Sequence, residues 1–401
     1  MDTNKGPAGQ GAHSANDAKA AIWNASFTSI FLANMFTYVG LYMMNTLVPK
    51  YVDFLGGSEF VVGAVTSSYA LAALCFKLIS APAIDTFNKK NLLIAVLTAL
   101  TSASLSFAAA NSIPVVVAAR LLQGAAQAFT AVCAMTIASE SLPFERLGEG
   151  IALFSLGQAI CQAISPSLAL MLIGRFSYRI AFCVGAAMIG LAITAALTLH
   201  IEYVRTKPFH ISLREVFAKE ALIPAVLVFF LNIAHSTIIA FLVLYSGRKG
   251  ISAVGTYFTV YAFAMLVSRP LVGKLSDRFG FVRTVLPAMA FFTVTFILIS
   301  KATNVYYLWL AGATTAFSYG ASLPALQAFC MKTVPSARRG AAGCTIYIGL
   351  DLSVLLGGFI SGAAAEAFGF EAMWRLMILP IAIAVLIVIL CRDRIRRIED
   401  R

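Results

Sequence analysis

The chain has little charge: only 12% of its 401 residues are Asp, Glu, Lys or Arg, whereas soluble domains carry roughly 25%. It also lacks the HExxH, GxSxG, Walker and CxxC patterns of enzymes and redox proteins. Its seven cysteines lie in or at the ends of apolar segments and form no Cys/His cluster, which predicts free thiols. These absences argue against a soluble domain, an enzyme and a metal site, and we expect no cofactor.

The sequence is instead rich in long apolar runs. Hydrophobic residues make up 60% of it, and the mean hydropathy is +0.85. Runs of about 20 apolar residues form helices in a bilayer, because a helix satisfies its own backbone groups. We therefore predict an all-α membrane protein with twelve transmembrane helices. The predicted spans are Ile22–Val48, Phe60–Ser80, Asn91–Ala110, Ile113–Ala138, Leu147–Ile173, Ile180–His200, Ala221–Ser246, Ser252–Gly273, Thr284–Ser300, Tyr306–Cys330, Gly340–Gly362 and Ala372–Cys391.

A long polar interruption divides these spans six and six. The predicted organisation is a disordered tail (1–20), a six-helix bundle (21–200), a central loop (201–220), a second bundle (221–391) and a basic tail (392–401). With the N-terminus inside, the cytoplasmic segments hold about 20 Lys and Arg and the external loops about 7, as the positive-inside rule requires. We therefore expect a protein of the bacterial cytoplasmic (inner) membrane with both termini in the cytoplasm. The net charge of +12 then reflects topology and contact with lipid phosphates, not a nucleic-acid partner.

The two halves of the chain repeat each other at an offset of 192 residues. Lys77 precedes a charged turn in the first half as Arg269 does in the second. The matched pairs are Lys77 with Arg269, Ala81 with Gly273, Asp85 with Asp277, Asn88 with Gly280, Pro143 with Pro335, Gly148 with Gly340, and Gly157 with Gly349. This agreement at one offset indicates two related halves.

These features resemble the major facilitator superfamily, whose transporters are built from two parallel six-helix halves. The turn Asp277-Arg278-Phe279-Gly280 is similar to the family's signature between helices 8 and 9, and Asp85 with Lys89-Lys90 resembles a reduced copy between helices 2 and 3. Arg120-Leu121-Leu122-Gln123-Gly124 is similar to the Arg-x-x-Gln-Gly motif of proton-coupled members. The fifth helix keeps the small residues and the proline of the drug–proton antiporter pattern, but not its glycines. The corresponding residues are Ala152, Cys161, Ser165 and Pro166.

The resemblance implies a conformational latch on the cytoplasmic side. In the family, carboxylates at these turns contact helix N-termini of the other half and hold the outward-facing state. The latch residues that it implies are Asp85, Lys89, Asp277, Arg278 and Gly280, with Arg146 and Arg338 in the paired loops as partners. For the basic residues, simple anchoring at the cytoplasmic surface is the alternative.

Three ionisable residues inside the spans are candidates for proton coupling. Asp351 lies near the predicted midplane, where a carboxylate needs pairing, solvation or a proton, and burial favours the neutral form that a proton carrier uses. Arg120 keeps its charge and so needs a polar cavity or an acceptor. The resemblance implies that it tunes a protonation site or binds an anion. His235 changes charge near neutral pH when unperturbed. The structural alternatives are a helix-joining Asp, an Arg bound to carbonyls of the first helix, and a neutral hydrogen-bonding His.

Polar side chains at helical spacing predict a substrate cavity. The first helix carries four on one face, and the fourth, fifth and seventh helices add more. The candidates are Asn34, Tyr38, Tyr42, Asn45, Gln123, Gln127, Gln158, Gln162 and Asn232. Helix–helix packing is the competing explanation for these residues.

We therefore predict a secondary transporter that exports a small organic compound by proton antiport, with the proton gradient as energy source. The alternative is a proton-coupled importer or a uniporter of a small organic anion or sugar, with Arg120 as substrate anchor. A receptor or scaffold on the same fold is a rival of another class. The expected partners are the small molecule, protons and membrane lipids, and we expect a monomer.

Overall fold

The computed structural model describes residues 22–143, 147–201, 217–335 and 339–399. The predicted tail 1–20 and most of the predicted central loop lie outside these ranges. Every regular element of the described residues is a helix. The first half contains α1 (Ala25–Phe54), α2 (Glu59–Thr86), α3 (Lys89–Ala109), α4 (Ile113–Glu140), α5 (Leu147–Arg175) and α6 (Tyr178–Leu197).

The second half begins with a 3₁₀ turn, Lys219–Ala221, which leads into α7 (Leu222–Arg248). It continues with α8 (Gly255–Phe279), α9 (Phe281–Ser300), α10 (Val305–Phe317), α11 (Tyr319–Lys332), α12 (Arg339–Phe368), α13 (Phe370–Leu376), α14 (Ile378–Leu390) and α15 (Arg392–Glu399). The tenth predicted span is therefore two helices, because Ser318 (φ −97°, ψ −86°) leaves the helical conformation between α10 and α11. The predicted basic tail contains α15, which packs through the fully buried Ile395.

Ten helices among the described residues are long and apolar enough to cross a membrane by length and composition. Of the twelve predicted spans, the eighth and the tenth do not meet this criterion. The eighth is α8, which contains Arg269 and Arg278, and the tenth is the divided pair α10 and α11. Several helices extend beyond the predicted spans. For example, α1 continues past Val48 to Phe54, because an apolar run marks the hydrocarbon and not the end of the helix.

Side-chain caps fix where many of these helices begin. Asn24 Oδ1 accepts from the N–H of Phe27 at 2.8 Å, and Ser177 Oγ accepts from the N–H of Ile180 at 3.3 Å. Asn88 caps α3 in the same way. Such caps satisfy N–H groups that have no partner within the helix. The polar residues of the short connections therefore position the helices that follow them.

The connections alternate between two faces of the helix bundle. One face, called here the α1–α2 face, carries the α1–α2, α3–α4, α5–α6 and α7–α8 connections. There, Tyr51 Oη donates to the Ala110 carbonyl oxygen at 2.5 Å. The opposite α2–α3 face carries the α2–α3 and α4–α5 connections. There, Lys90 Nζ donates to the carbonyl oxygens of Leu197 (2.7 Å) and Leu199 (2.8 Å).

The apolar core joins the two halves near the α1–α2 face. One cluster of buried side chains contains Leu47 and Phe182 of the first half together with Phe241 and Trp374 of the second. A separate cluster holds first-half residues toward the α2–α3 face, among them Leu97. The two halves therefore share a continuous core at the α1–α2 face.

Glycines bring helices of different halves into close contact. A Cβ atom at Gly63 of α2 would overlap the carbonyl oxygen of Gly358 of α12. Beside this contact, Ser67 Oγ donates to the Leu355 carbonyl oxygen at 2.7 Å. Small residues of this kind let helix backbones approach closely in a membrane. The α2–α12 contact therefore forms one side of the interface between the halves.

Candidate functional site

Asp351 of α12 forms an ion pair with Lys77 of α2. The two side chains are only 19% and 15% exposed. Lys77 lies about 27 Å from the first residue of α2, at a rise of 1.5 Å per residue, and so lies deep within the helix. Its Nζ atom also lies 5.1 Å from the centroid of the Tyr347 ring, which stabilises the ammonium group. The pair joins the two halves, and each charge compensates the other within an apolar helix.

Asp351 is a predicted site residue, whereas its partner Lys77 was predicted only to mark the internal repeat. A basic residue inside a predicted span, at hydrocarbon depth, is itself a signal of a functional or paired charge. This signal makes Lys77 a candidate site residue in addition to those predicted.

Arg120 of α4 is almost completely buried, with 1% of its surface exposed. Its Nη1 atom donates to Gln123 Oε1 at 2.8 Å and to Asn45 Oδ1 at 3.1 Å, and Nη2 donates to the Met44 carbonyl oxygen at 3.4 Å. Its Cζ atom lies 5.7 Å from the Tyr69 ring centroid. Arg120 therefore links α4 to α1 and α2 inside the first half. Two predicted cavity residues, Asn45 and Gln123, serve as its acceptors.

The remaining predicted cavity residues of the first half lie on α1, α4 and α5. Tyr38 and Tyr42 have ring centroids 5.5 Å apart. Asn34 and Gln127 are buried, and the Asn34 Nδ2 and Gln127 Oε1 atoms have no hydrogen-bond partner among the described residues. Gln158 and Gln162, the predicted cavity residues of α5, are half-buried.

His235 of α7 lies against Tyr319 of α11. The two rings are stacked, with centroids 3.8 Å apart and planes 11° from parallel. Tyr319 Oη donates to Asn232 Oδ1 at 2.6 Å, and Asn232 Nδ2 donates to Ser353 Oγ at 2.6 Å. The imidazole is 6% exposed and forms no ion pair within the described parts of the chain. The structure thus places His235 and Asn232 in a packed network within the second half.

Tyrosines of both halves lie within electrostatic range of one another. Tyr42 of α1 lies within electrostatic range of Tyr69 of α2 and Tyr261 of α8. Tyr38 lies within the same range of Tyr347 of α12. A phenol offers apolar surface and a hydrogen-bonding hydroxyl together. This interface therefore suits a small organic molecule with apolar and polar parts.

The α1–α2 face is also closed by ion pairs between the halves. Arg248 at the end of α7 contacts Asp53 Oδ1 at 2.9 Å and Glu59 Oε1 at 3.1 Å. The neighbouring Lys249 pairs with Glu371, and this hydrogen bond raises the pKa of Lys249 above its ordinary value. The two contacts of Arg248 hold the first-half ends of α1 and α2 against the second half, whereas the Lys249–Glu371 pair lies within the second half.

The predicted latch residues lie near the α2–α3 face. Lys89 pairs with Glu140 of α4, which belongs to the same half. Gly280 precedes α9 with φ +85°, a conformation that favours glycine, and the exposed Arg278 lies over the ring of Phe279 at 5.2 Å. Asp85 and Asp277 stand near the ends of α2 and α8. Arg146 and Arg338 lie outside the described residues.

The model of the Major Facilitator Superfamily matches residues 30–257 and 225–399, which together cover nearly all the chain. The chain belongs to the major facilitator superfamily. The predicted all-α fold and the resemblance to this superfamily are therefore confirmed, and the chain is an integral membrane protein of a transporter family, not of an enzyme class.

Two relatives in this superfamily match over almost their whole length. The Staphylopine export protein of Staphylococcus aureus is 22% identical over 383 residues, covering 90% of this chain and 94% of that protein. The multi-drug resistance efflux pump PmrA of Streptococcus pneumoniae is 23% identical over 381 residues, covering 91% and 95%. Among solved structures, a POT family transporter in complex with a thioalcohol-conjugated peptide is similar with a TM-score of 0.79 at 11% identity, covering 92% and 96%.

Proposed function

We propose that this superfamily member is a secondary active transporter that exports a small organic compound by proton antiport. It lies in the bacterial cytoplasmic membrane with both termini inside, acts as a monomer and draws its energy from the proton gradient. The names of the two relatives, an export protein and an efflux pump, support the direction of transport. In this orientation the α1–α2 face is external and is the closed face of the structure.

The observation that carries the proposal is the ion pair between Lys77 and Asp351. Its partners belong to helices of different halves, and the halves move against each other when a transporter of this superfamily changes its open side. A carboxylate that loses its ammonium partner at this depth has to be neutralised or solvated. Binding a proton is the direct route. Asp351 is thereby a group whose protonation depends on the state of the transporter.

The substrate is held between the bundles by tyrosines of both halves. Tyr38 and Tyr42 come from the first half, whereas Tyr261 and Tyr347 come from the second. A molecule that contacts both halves is released when the halves separate on the external side. Substrate and proton then move in opposite directions if both act on the same interface around Asp351.

Proton movement in reconstituted liposomes tests the proposal. A panel of small organic compounds is added under an imposed pH gradient, and internal pH is followed with an enclosed dye. We expect at least one compound to trigger proton flux that Asp351→Asn abolishes. Asp393→Asn is the matched control, because Asp393 is exposed on α15 outside the apolar spans. Substrate movement without proton flux, unchanged by Asp351→Asn, would contradict proton antiport.

The second candidate is a proton-coupled importer or a uniporter of a small organic anion or sugar. The buried Arg120 favours it, because it forms no ion pair among the described residues and its Nε atom has no hydrogen-bond partner there. The same liposomes separate the candidates through the direction of substrate movement. Accumulation on the side that corresponds to the cytoplasm supports import.

A further inference from the structure

The contact between α2 and α12 has a counterpart between α5 and α8. In the first contact, Gly63 of α2 lies against α12. In the second, Gly255 of α8 lies against Ser167 of α5, whose Oγ atom donates to the Gly255 carbonyl oxygen at 2.8 Å. Gly63 and Gly255 are 192 residues apart, which is the offset of the internal repeat. The two contacts are therefore equivalent positions of a pseudo-symmetric interface.

The same offset can be applied to the ion pair. Lys77 of α2 corresponds to Arg269 of α8, so both contacts contain a basic residue at the same level. Asp351 of α12 corresponds to Ala159 of α5. Ala159 is buried, with 6% of its surface exposed. The second contact thus keeps the cation and has no carboxylate at the equivalent position.

Arg269 of α8 is half-buried, beside fully buried neighbours on the same helix. Tyr261 and Met265, one and two turns before it, are both 3% exposed, and Arg269 stands about 21 Å from the first residue of the helix. It lies within electrostatic range of Tyr261 and of Tyr319. Its Nε atom is buried and has no hydrogen-bond partner, and Arg269 forms no ion pair in the described ranges.

Lys77, Arg120 and Arg269, three cations within apolar helices, differ in how they are compensated. Lys77 has the carboxylate of Asp351. Arg120 has three oxygen acceptors, which belong to Asn45, Gln123 and Met44. Arg269 has neither kind of compensation among the described residues. A guanidinium keeps its charge, so within an apolar helix it requires an anion or a set of acceptors.

We propose that Arg269 binds the carboxylate of an anionic substrate at the position equivalent to that of Asp351 beside Lys77. A guanidinium matches a carboxylate with two parallel hydrogen bonds, which gives both affinity and orientation. Tyr261 and Tyr319 lie within electrostatic range of Arg269, so the ligand would meet aromatic side chains as well as the guanidinium. The substrate class is a small organic carboxylate. Only the identification of this ligand as the substrate rests on the proposed transport function; the binding site itself does not.

Calorimetric titration of the full chain in lipid nanodiscs tests the site without transport. The probes are three carboxylates of increasing size, acetate, benzoate and 3-phenylpropionate, each paired with its uncharged amide. We expect at least one carboxylate to bind more tightly than its amide. Arg269→Gln should weaken this binding by about tenfold to a hundredfold, the range for hydrogen bonds to a charged group. Arg283→Gln, which changes an exposed arginine of α9, should leave it unchanged.

Ala159→Asp provides a second, independent test, because it places a carboxylate where the repeat predicts one. We expect this side chain to pair with Arg269, to exclude the added carboxylate and to raise the unfolding temperature above that of Ala159→Asn. The Asn variant adds the same bulk without the charge. The inference is overturned if no carboxylate binds more tightly than its amide, or if binding survives in both Arg269→Gln and Ala159→Asp.

The two proposals fail separately. If proton flux depends on Asp351 but carboxylates bind no more tightly than their amides, only the anion site is contradicted. Carboxylate binding that depends on Arg269, together with no substrate-triggered proton flux, removes proton antiport and keeps the site.

Discussion

Lys77 of α2 and Asp351 of α12 form an ion pair between two helices that are 274 residues apart in the chain and belong to different halves. The nearest charged or titratable neighbours of Asp351 are Lys77, Tyr69 of α2 and Tyr347 of its own helix. Lys77 is the cation among them, so it controls how stable the ionised form of Asp351 is. Changes at Lys77 should therefore alter the pH dependence of transport.

Removing the ammonium group should move this dependence to higher pH. In Lys77→Met, the carboxylate of Asp351 has no counter-charge, so its protonated form is favoured and persists to higher pH. We expect the midpoint of the pH–activity profile to rise by about 1 unit or more, since an adjacent opposite charge typically has an effect of this size. Proton flux measured in liposomes over a range of pH checks this. Lys77→Arg, which keeps the charge, should resemble the unmodified protein. Identical profiles for the Met variant would show that the pair does not govern protonation.

Exchanging the two charges should restore what either single change removes. Lys77→Asp and Asp351→Lys each place two like charges together at hydrocarbon depth, and we expect each to cost about 3–5 kcal/mol of stability. The double variant re-forms the pair in the reverse order. Its loss of stability should therefore be smaller than the sum of the two single losses, and its unfolding temperature checks this. Additive losses would mean that the two side chains do not interact.

The sequence located most of the helices, but it did not predict all of their ends. Ten of the twelve predicted apolar runs coincide with helices that are long and apolar enough to cross a membrane, and α4 begins at Ile113 as predicted. The division at Ser318, where ψ is −86°, was not predicted, because the sequence predicts one span over Tyr306–Cys330. Helix ends beyond the hydrocarbon were also missed, since hydropathy falls before the helix stops.

The sequence predicted many residues of the candidate site but few of the contacts between them. Asp351 and Arg120 stand out in the sequence because a charge within an apolar run is costly. Gln123 follows Arg120 by one helical turn, so this hydrogen bond was predictable from the spacing of the two residues. The partnership of Lys77 with Asp351 depends on which faces of α2 and α12 meet, and one sequence contains no information on this. The stacking of His235 on Tyr319 depends on packing in the same way.

Close packing at Gly63 should be intolerant of even one methyl group. A Cβ atom there overlaps the backbone of Gly358, and backbone does not move aside as a flexible side chain does. We expect Gly63→Ala to destabilise the protein by about 1–3 kcal/mol, as overpacking does, and to weaken closure of the α1–α2 face. The unfolding temperature in detergent checks the first effect. The matched control is Gly247→Ala in α7, where nothing lies within 4 Å of the added atom. Equal behaviour of the two variants would refute tight packing at Gly63.

The hydroxyl of Tyr319 should be needed to satisfy Asn232. In Tyr319→Phe the ring remains stacked on His235, but Asn232 Oδ1 loses its donor at 2.6 Å. An unsatisfied buried acceptor costs about 1–3 kcal/mol, so the unfolding temperature should fall. Tyr306→Phe, which alters a tyrosine that is 64% exposed, should have little effect. A stable Tyr319→Phe protein would indicate that water replaces the hydroxyl.

Arg120 should tolerate neither loss of charge nor loss of shape. Its guanidinium serves Asn45, Gln123 and the Met44 carbonyl oxygen at once, whereas an ammonium group has no planar fork to reach all three. We expect Arg120→Lys to keep the charge but lower the unfolding temperature, and Arg120→Gln to lower it further because hydrogen bonds to a charged group contribute about 1.5–3 kcal/mol. Transport should then separate the structural role from a functional one. Proportional losses of stability and activity in both variants favour a structural arginine. Activity lost in a variant that unfolds at nearly the unmodified temperature favours direct contact with substrate or proton.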